Sequence, residues 1–412
     1  MKWLQQDFME RLNIAFYTDS YLPAVDGVVS SILNFKTELE RRGHKVYVFT
    51  SGKPGQRLGK DVFVYPGVRF KPYPQYNVAI FPFNSSSKLK DLSIDIIHAQ
   101  TPFVMGFAGL VASKFGHYPI ASTFHTMINN KSVINQYYPR NKGLKDFTKK
   151  YLWMYTKFFY MRSNVTIAPT DTIMRYLKKH GISNTTVVPN SVDIKRFNEK
   201  VSGETMKRRI GVKGREKVVL YLGRISKEKR LDVMLKACRI LAKRGERVKF
   251  VLGGKGPAEE LYRNMALRLG IRDNVEFLGF VDQKDLPRLY AAADAFCMPS
   301  TFETQGIVCL EAMATGKPVV GANYLALKDL IKSGKNGERF APGDYTACAN
   351  KIERVLNSPE TYKRNAINTA REFSVEKTAD RLLDTYNSVF RISIVLYDRY
   401  VSKTYLRRLR LW

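Results

Sequence analysis

The segment VVLYLGRISKEKR, residues 218–230, decides the fold class. Its first five residues are apolar and predict a buried strand, Gly223 opens a loop, and a helical pattern follows the loop. Helical patterns also separate four further apolar runs, which are Val248–Gly253, Val275–Leu278, Ala295–Met298 and Pro318–Gly321. Strands that alternate with helices predict an α/β fold with a parallel, doubly wound sheet.

The first half of the chain repeats this organisation. Residues 14–17 predict a strand, Asp19–Gly27 a loop, and Val28–Arg42 a helix that Gly43 ends. Further strands are predicted at Lys45–Thr50, Ile94–His98, Ile120–Phe124 and Val165–Ala168. Periodicity lapses after Pro189, and the following charged stretch predicts a linker. We therefore predict an N-terminal domain over residues 1–195, a second domain over 196–372, and a C-terminal helical segment with a basic tail over 373–412 that crosses back to the first domain.

Composition limits the possible partners and the compartment. The 412 residues are 44% hydrophobic and include 68 Lys and Arg against 37 Asp and Glu, which gives a net charge of +31. Such a globular, basic chain favours acidic partners, namely nucleic acid, phosphates or an anionic membrane surface. The four cysteines form no CxxC pair, and no secretory signal or bilayer-length apolar run is present, so we expect a cytoplasmic protein with at most peripheral membrane contact.

Two glycine-containing loops follow predicted strands of the second domain. Arg224 and Lys229 lie in the first loop, at the strand end where open α/β sheets bind ligands, and together can hold a diphosphate. The alternative is a solvated basic turn. The second loop, Gly253–Pro257, includes Gly254 and lets backbone amides approach a ligand. Taken alone, it is better explained as a plain tight turn, since it matches neither GxGxxG nor a P-loop.

A pair of carboxylates marks the most informative segment. Glu303 lies in a loop, and Glu311, eight positions later, lies within a predicted helix that starts in the stretch Thr304, Gln305, Gly306 and Ile307. Amides at a helix start bind anions or sugar hydroxyls, and a neighbouring carboxylate accepts hydrogen bonds from hydroxyls. The apolar neighbours of Glu311 argue against an ordinary surface position.

Three residues of the first domain are candidates for the same kind of site. Gly27 opens the first helix, so its amide can touch a phosphate. His98 and His125 each lie at the end of a predicted strand, and parallel strands would bring both to one edge. A single histidine is more often structural than catalytic, so either histidine can simply belong to the core.

Taken together, these motifs resemble the retaining glycosyltransferases of family 4, which have the GT-B fold of two Rossmann-like domains facing across a cleft. The resemblance covers nearly the whole chain. It rests on Gly223-Arg224 with Lys229, on Gly253–Pro257, on the turn Pro189–Asp193, and on the pair Glu303 and Glu311 followed by Ala312–Pro318.

The resemblance implies a role for each candidate residue. Arg224 and Lys229 would bind the diphosphate of a nucleoside-diphosphate sugar, next to Gly223 and Gly254. Glu311 would hold the ribose, and Glu303 with the amides of residues 304–307 would hold the donor sugar. Gly27 and His125 would complete the site. No cofactor and no metal are implied, because basic side chains would neutralise the leaving group.

Within the family, residues 17–30, Phe124–Met127 and Glu303–Gly306 look like the branch that glycosylates diacylglycerol-type lipids. The alternative is a mannosyl- or other hexosyltransferase acting on a glycan or glycan-lipid intermediate. The sequence departs from the family pattern at two positions. Asp26-Gly27 replaces a frequent Gly-Gly, and Ser191 replaces the usual glycine of the Pro189–Asp193 turn.

The excess of basic residues predicts an anionic membrane surface as a partner, on the cytoplasmic face. Residues 139–164 read as a basic helix with Leu144, Phe147, Tyr151, Tyr155 and Phe158 on one face. This stripe can instead pack on the first domain's sheet. The tail Arg399–Trp412 is a second candidate anchor. A nucleic-acid-binding protein is the rival class, but no RRM, KH, zinc-finger or helix-turn-helix signature is present, so we expect no nucleic acid.

Overall fold

A computed structural model describes residues 11–69, 77–80, 82, 85–127 and 142–391. The chain forms two compact units. The first unit comprises the described residues up to Val188 and from Glu376 onward, and the second comprises Pro189–Val375. The tail Arg399–Trp412, proposed above as an anchor, lies outside the described residues.

The first unit is built around a parallel sheet. Its strands are β1 (Asn13–Thr18), β2 (Lys45–Gly52), β3 (Val62–Arg69), β4 (Asn77–Ala79), β5 (Ile96–Ala99), β6 (Ile120–Thr123), β7 (Val165–Ala168) and β8 (Thr185–Val187). The strand order is β4-β3-β2-β1-β5-β6-β7-β8. Only the β3–β4 pair of these neighbours is antiparallel in the described part of the sheet.

Helices connect these strands. They are α1 (Gly27–Arg41), α2 (Ser85–Asp91), α3 (Val104–Gly116), α4 (Lys142–Met161) and α5 (Asp171–Lys179). Helix α1 begins where predicted, because the Asp26 carboxylate accepts a hydrogen bond from the Val29 amide at 2.9 Å. It ends before Gly43, whose φ of +93° turns the chain out of the helix.

The second unit has a wholly parallel sheet among its described strands. These are β9 (Lys217–Leu222), β10 (Val248–Gly253), β11 (Val275–Gly279), β12 (Ala295–Met298), β13 (Val319–Ala322) and β14 (Gly337–Phe340). Their order is β11-β10-β9-β12-β13-β14. The helices are α6 (Glu204–Arg209), α7 (Leu231–Lys243), α8 (Glu259–Arg268), α9 (Leu286–Ala292), α10 (Ile307–Ala314), α11 (Leu325–Leu330), α12 (Tyr345–Asn357) and α13 (Pro359–Glu372).

The border between the units lies a few residues before the predicted end of the first domain at 195. The turn after Pro189 is tied to the second unit, because the Val192 amide donates to the Phe373 carbonyl at 2.8 Å. The charged stretch predicted as a linker contains α6, whose Met206 is buried in the core of the second unit.

The final described helix, α14, covers residues 375–391 and returns to the first unit as predicted. Its side chains Leu382, Leu383, Tyr386 and Val389 are buried among the strands of that unit. At the helix start, Arg42 pairs with Asp380 at 2.5 Å. In the described part of the chain, no helix combines the length and apolarity that a bilayer span requires.

Each sheet has a switch point, where successive strands stop being added on one side of the first strand and are added on its other side. In the first unit β1 lies between β2 and β5, and in the second unit β9 lies between β10 and β12. Ligands of open α/β sheets bind outside the carboxyl ends of the strands at such switch points. The loops that follow β1, β5, β9 and β12 are therefore the places to look for a site.

Candidate active site

An ion pair joins the two loops at the switch point of the second unit. The Lys229 ammonium, in the loop after β9, lies 2.6 Å from a carboxylate oxygen of Glu303, in the loop after β12. Both side chains are largely shielded, with 18% and 13% exposure respectively. The structure thus brings together two residues that the sequence places 74 positions apart.

The glycine loops after β9 and β10 pack backbone against backbone. Gly254 has φ of +125°, and a Cβ there would lie 1.9 Å from the Gly223 carbonyl oxygen, so only glycine fits. The Gly223 amide donates to the Gly253 carbonyl at 3.0 Å. Beside them, the Tyr221 hydroxyl donates to the Arg224 carbonyl at 2.8 Å. This packing fixes the backbone from which Arg224 and Lys229 extend.

Glu311 lies on α10 and receives a hydrogen bond that sequence reasoning missed. The Tyr290 hydroxyl on α9 donates to Glu311 Oε2 at 2.6 Å. Burial raises the pKa of Glu311 to about 7, while the Tyr290 bond and the charge of Arg196 lower it. The remaining carboxylate oxygen can accept a hydroxyl. The sequence did contain a signal for this contact. Tyr290 lies in an apolar helix, and a buried tyrosine hydroxyl needs a hydrogen-bond partner.

Both carboxylates act electrostatically on the buried thiol of Cys309. Burial raises the pKa of Cys309 well above its usual value, the charges of Glu303 and Glu311 raise it further, and Lys229 opposes them. Glu303, Glu311 and Lys229 therefore form one electrostatic cluster around the start of α10.

The start of α10 is held by the turn after Pro189. Gly306, with φ of +87°, precedes the first helical residue, Ile307, and supplies no capping side chain. The Gln305 side chain is buried and exchanges hydrogen bonds with Asn190, accepting from its amide at 2.6 Å and donating to its carbonyl at 2.8 Å. Because that side chain is occupied, Gln305 can serve a ligand only through its backbone, as can Gly306 and Ile307; Thr304 lies in the same loop.

Ser191 fits this turn without the glycine that the family pattern favours. Its backbone is not among the left-handed positions, and its side chain is fully buried. A side chain is therefore accommodated, and the substitution leaves the turn able to support α10 through Asn190.

In the first unit, Gly27 is the first residue of α1, as predicted. The preceding Asp26 uses one carboxylate oxygen to cap the Val29 amide and the other to accept from the Ser20 hydroxyl at 2.7 Å. The carboxylate thus takes an amide that a glycine at position 26 would leave available, and it adds negative charge beside any phosphate at this helix start.

The two histidines have different environments. His98 lies inside β5, fully buried, with Nδ1 2.6 Å from the Tyr386 hydroxyl and Nε2 2.7 Å from the Thr123 hydroxyl. It therefore links the sheet to α14 and belongs to the core, the structural alternative considered above. His125 follows β6, keeps partial exposure, and has Nε2 3.0 Å from Gln100 Oε1. Burial lowers the pKa of His125 to about 4, so the ring is neutral at pH 7.

Asp19 is a second residue that sequence reasoning missed. Its carboxylate accepts from the Met105 amide at 2.9 Å and from the Thr101 hydroxyl at 2.6 Å. Burial raises the pKa of Asp19 to about 6, although these hydrogen bonds oppose the rise. Asp19 thereby ties the loop after β1 to the start of α3, across the first unit's switch point.

Comparison with known families matches both units. Residues 25–196 match the model described as Glycosyltransferase Family 4, and residues 202–373 match the model described as Glycosyl transferases group 1. The chain belongs to glycosyltransferase family 4. This confirms the predicted family and shows that the chain is a glycosyltransferase.

The relatives of this glycosyltransferase include a protein named for a glucosylated diacylglycerol and a protein named for sulfoquinovosyl transfer. It is 28% identical over 383 residues to an alpha-monoglucosyldiacylglycerol synthase of Streptococcus pneumoniae, covering 91% of this chain and 85% of that protein. It is 30% identical over 376 residues to the sulfoquinovosyl transferase SQD2 of Arabidopsis thaliana, covering 88% of this chain and 69% of that protein.

A solved structure supports the GT-B fold. The Anabaena protein HepE, determined with UDP and glucose, superposes with a TM-score of 0.71 at 22% identity, covering 92% of this chain and all of that chain. At this identity the likeness concerns the fold alone.

Proposed function

We propose that this glycosyltransferase transfers a hexose from a nucleoside-diphosphate sugar, UDP- or GDP-linked, to a lipid hydroxyl at a membrane surface, with retention of anomeric configuration. The observation that carries the proposal is the Lys229–Glu303 pair, 2.6 Å apart at the switch point of the second unit. A cation for a diphosphate and a carboxylate for sugar hydroxyls stand side by side there.

Each part of the nucleotide-sugar donor would bind its own group of residues. Arg224 and Lys229 would bind the diphosphate, over the close backbone packing of Gly223 and Gly254. Glu311, held by Tyr290, would accept from ribose hydroxyls, while Glu303 and the amides of residues 304–307 would hold the hexose. Lys229 is already paired in the described structure, so donor binding would let the ammonium bridge Glu303 and the phosphate.

The transfer step exchanges one bond at the anomeric carbon. The bond to the β-phosphate oxygen breaks, and a bond to the acceptor oxygen forms on the same face of the sugar. The acceptor proton passes to the departing phosphate, so a nucleoside diphosphate leaves. Arg224 and Lys229 would stabilise the charge that develops on that phosphate, a task for fixed cations. We expect this step to need no divalent metal.

Gly27 and His125 would contribute from the first unit. The α1 start can approach an anion through the Gly27 amide, although Asp26 occupies the neighbouring Val29 amide. A neutral His125 ring, oriented by Gln100, can exchange hydrogen bonds with a sugar hydroxyl or the acceptor.

The lipid acceptor is supported by the relatives named as alpha-monoglucosyldiacylglycerol synthases. We propose a cytoplasmic, peripheral location, where a water-soluble nucleotide-sugar donor would meet a lipid acceptor of the adjoining leaflet. No nucleic-acid partner is proposed.

A donor and acceptor screen tests the proposal. Purified protein is incubated with UDP- and GDP-hexoses and diacylglycerol vesicles, with and without EDTA, and lipid products are identified by mass. We expect a hexosyl-diacylglycerol that forms in equal yield with and without EDTA. A product only on a glycan or glycan-lipid acceptor would instead support the alternative function, and no transfer from any donor would overturn both.

A further inference from the structure

Helix α4 carries two apolar faces, and one of them packs inside the first unit. Thr156, Phe159 and Tyr160 are essentially fully buried. The Tyr155 hydroxyl donates to the Pro102 carbonyl, and the Tyr160 hydroxyl donates to the Thr123 carbonyl at 3.2 Å. These contacts fix the helix against the sheet, so its orientation does not depend on the opposite face.

The opposite face exposes five large apolar side chains, which we call the α4 stripe. They recur at alternating steps of four and three residues, which places them along one line of a helix. Their exposed fractions are 64% for Phe147, 60% for Tyr151, 56% for Met154, and 41% for Phe158 and Met161. The sequence predicted Leu144 and Tyr155 in this stripe in place of Met154 and Met161. Tyr155 instead turns inward, and the side chain of Leu144 lies outside the described part of the structure.

Cations border the α4 stripe. At 100° per residue, Lys150 and Lys157 fall on one flank and Arg162 on the other, and all three are exposed. The guanidinium of Arg162 stacks 3.7 Å from the ring centroid of Phe158. No acidic residue occurs in the sequence from Phe147 to Asn164. The longer sequence 142–164 contains one acidic residue, Asp146, against six Lys and Arg.

We infer that the α4 stripe is a docking face for an anionic lipid bilayer, with Phe147, Tyr151, Met154, Phe158 and Met161 entering the headgroup boundary and Lys150, Lys157 and Arg162 binding lipid phosphates. A contiguous apolar line rimmed by cations is what an interfacial helix presents to a membrane. The inference deepens the proposed function, since it supplies the surface on which a lipid acceptor would be met.

A second copy of the chain fits this face less well. A two-fold contact through the α4 stripe would bring the same flanking cations of both copies together, with no acidic side chain between Phe147 and Asn164 to offset them. An anionic bilayer supplies the missing negative charge, and its interior accepts the apolar line without a matching partner surface.

Vesicle co-sedimentation of the full chain tests the inference. The vesicles contain equal parts of phosphatidylglycerol and phosphatidylcholine. The variant Phe147→Ser/Tyr151→Ser/Phe158→Ser should lower the partition coefficient by about tenfold or more, while Phe115→Ser, at a side chain with 83% exposure on α3, should leave it unchanged. The variant Lys150→Gln/Lys157→Gln/Arg162→Gln should also bind weakly. Its control of equal charge is Lys243→Gln/Lys332→Gln/Lys335→Gln, all exposed positions of the second unit.

The outcomes separate this inference from the proposed function. UDP and GDP binding, measured by calorimetry without lipid, should be unchanged in the stripe variant, which also shows that the variant is folded. Wild-type vesicle binding by both α4 variants would overturn the inference. So would a wild-type dimer in solution that the stripe variant makes monomeric, because the face would then join two copies. Normal vesicle binding with no sugar transfer from any donor would contradict the proposed function but still support the docking face.

Discussion

At the scale of single residues, the charged groups of the candidate site are paired before any substrate binds. Lys229 neutralises Glu303 at 2.6 Å, and Tyr290 donates to Glu311 at the same distance. Each carboxylate is therefore held in place in the free protein. Preorganised groups of this kind cost no reorganisation when charge develops on a departing phosphate.

Lys229→Ala should reduce kcat/KM for transfer by at least about 100-fold, equivalent to about 2.7 kcal/mol, because it removes a cation from the leaving diphosphate and leaves Glu303 unpaired. Glu303→Ala should reduce kcat/KM by a similar factor. The matched control is Lys227→Ala, an exposed lysine in the same loop, which should keep near wild-type turnover. Steady-state kinetics measures kcat/KM of the three variants. Full activity of Lys229→Ala or Glu303→Ala would contradict the role proposed for that residue.

Tyr290→Phe should move the pH dependence of nucleotide binding upward. Burial raises the pKa of Glu311 to about 7, and the Tyr290 hydrogen bond holds it lower than burial alone would. The ionised carboxylate accepts ribose hydroxyls, so binding should weaken as pH falls through about 7 in the wild type. Removing the donor favours the protonated form, which shifts this midpoint to higher pH.

Calorimetric titration of nucleoside diphosphate over a pH series measures that midpoint. Arg196 also lowers the Glu311 pKa, and Cys309 lies beside it, so both residues are kept intact in the variant. Glu311→Gln is the control and should bind weakly without this midpoint. An identical pH profile for Tyr290→Phe and wild type would contradict the positioning role of Tyr290.

At the scale of elements, much of the second unit's site could be predicted from sequence. Apolar runs gave the strands Val248–Gly253 and Ala295–Met298 with their observed bounds, and the loops after them carry the predicted charged residues. Short or partly exposed strands such as Thr185–Val187 and Gly337–Phe340 were missed, because three or four residues with mixed polarity leave no period to detect.

Side-chain contacts between distant elements could not be predicted. The Gln305–Asn190 exchange joins positions 115 residues apart, and Asp19 reaches the start of α3 across 86 positions. Nothing in local periodicity records such pairings, which arise only when the sheet order brings two loops to one edge. The same holds for the α4 stripe, where the pattern predicted an amphipathic helix but not which apolar face would be buried.

Gly254→Ala tests the packing of the two glycine loops. The new Cβ would meet the Gly223 carbonyl oxygen at 1.9 Å, so we expect a loss of at least about 3 kcal/mol of unfolding free energy and weaker nucleotide binding. Gly245→Ala is the control, since φ there is +80° and no atom lies within 4 Å of the Cβ. It should cost only the backbone strain of about 1–2 kcal/mol. Denaturant unfolding compares the two, and equal losses would refute the close packing.

At the scale of the whole molecule, the first unit is made of two separate segments of the chain, one before and one after the second unit. The chain completes the second unit at Val375 and then contributes α14 to the first. The return could be predicted only as a guess from a long final helical pattern, because periodicity does not say which unit a helix joins. The His98–Tyr386 hydrogen bond and the buried leucines of α14 now show what the helix does there.

Leu382→Ala should destabilise the first unit by about 2–5 kcal/mol, because this side chain is fully buried between α14 and the sheet. Hydrogen exchange should accelerate in β1 and β5 and stay unchanged in β9 and β12, which serve as an internal reference. Leu267→Ala, at a side chain with 54% exposure on α8, should alter neither set. Uniform acceleration in both units would contradict an independent role of α14 in the first.

The anomeric configuration of the lipid product tests retaining transfer at the Lys229–Glu303 site. An α-linked nucleoside-diphosphate hexose is incubated with wild-type protein and diacylglycerol vesicles, and the one-bond carbon–hydrogen coupling at the anomeric carbon of the purified glycolipid is read by NMR. We expect an α-linked hexosyl lipid, formed by wild type and lost in Lys229→Ala. A β-linked product would contradict retention, and an α-linked product undiminished in Lys229→Ala would contradict the site.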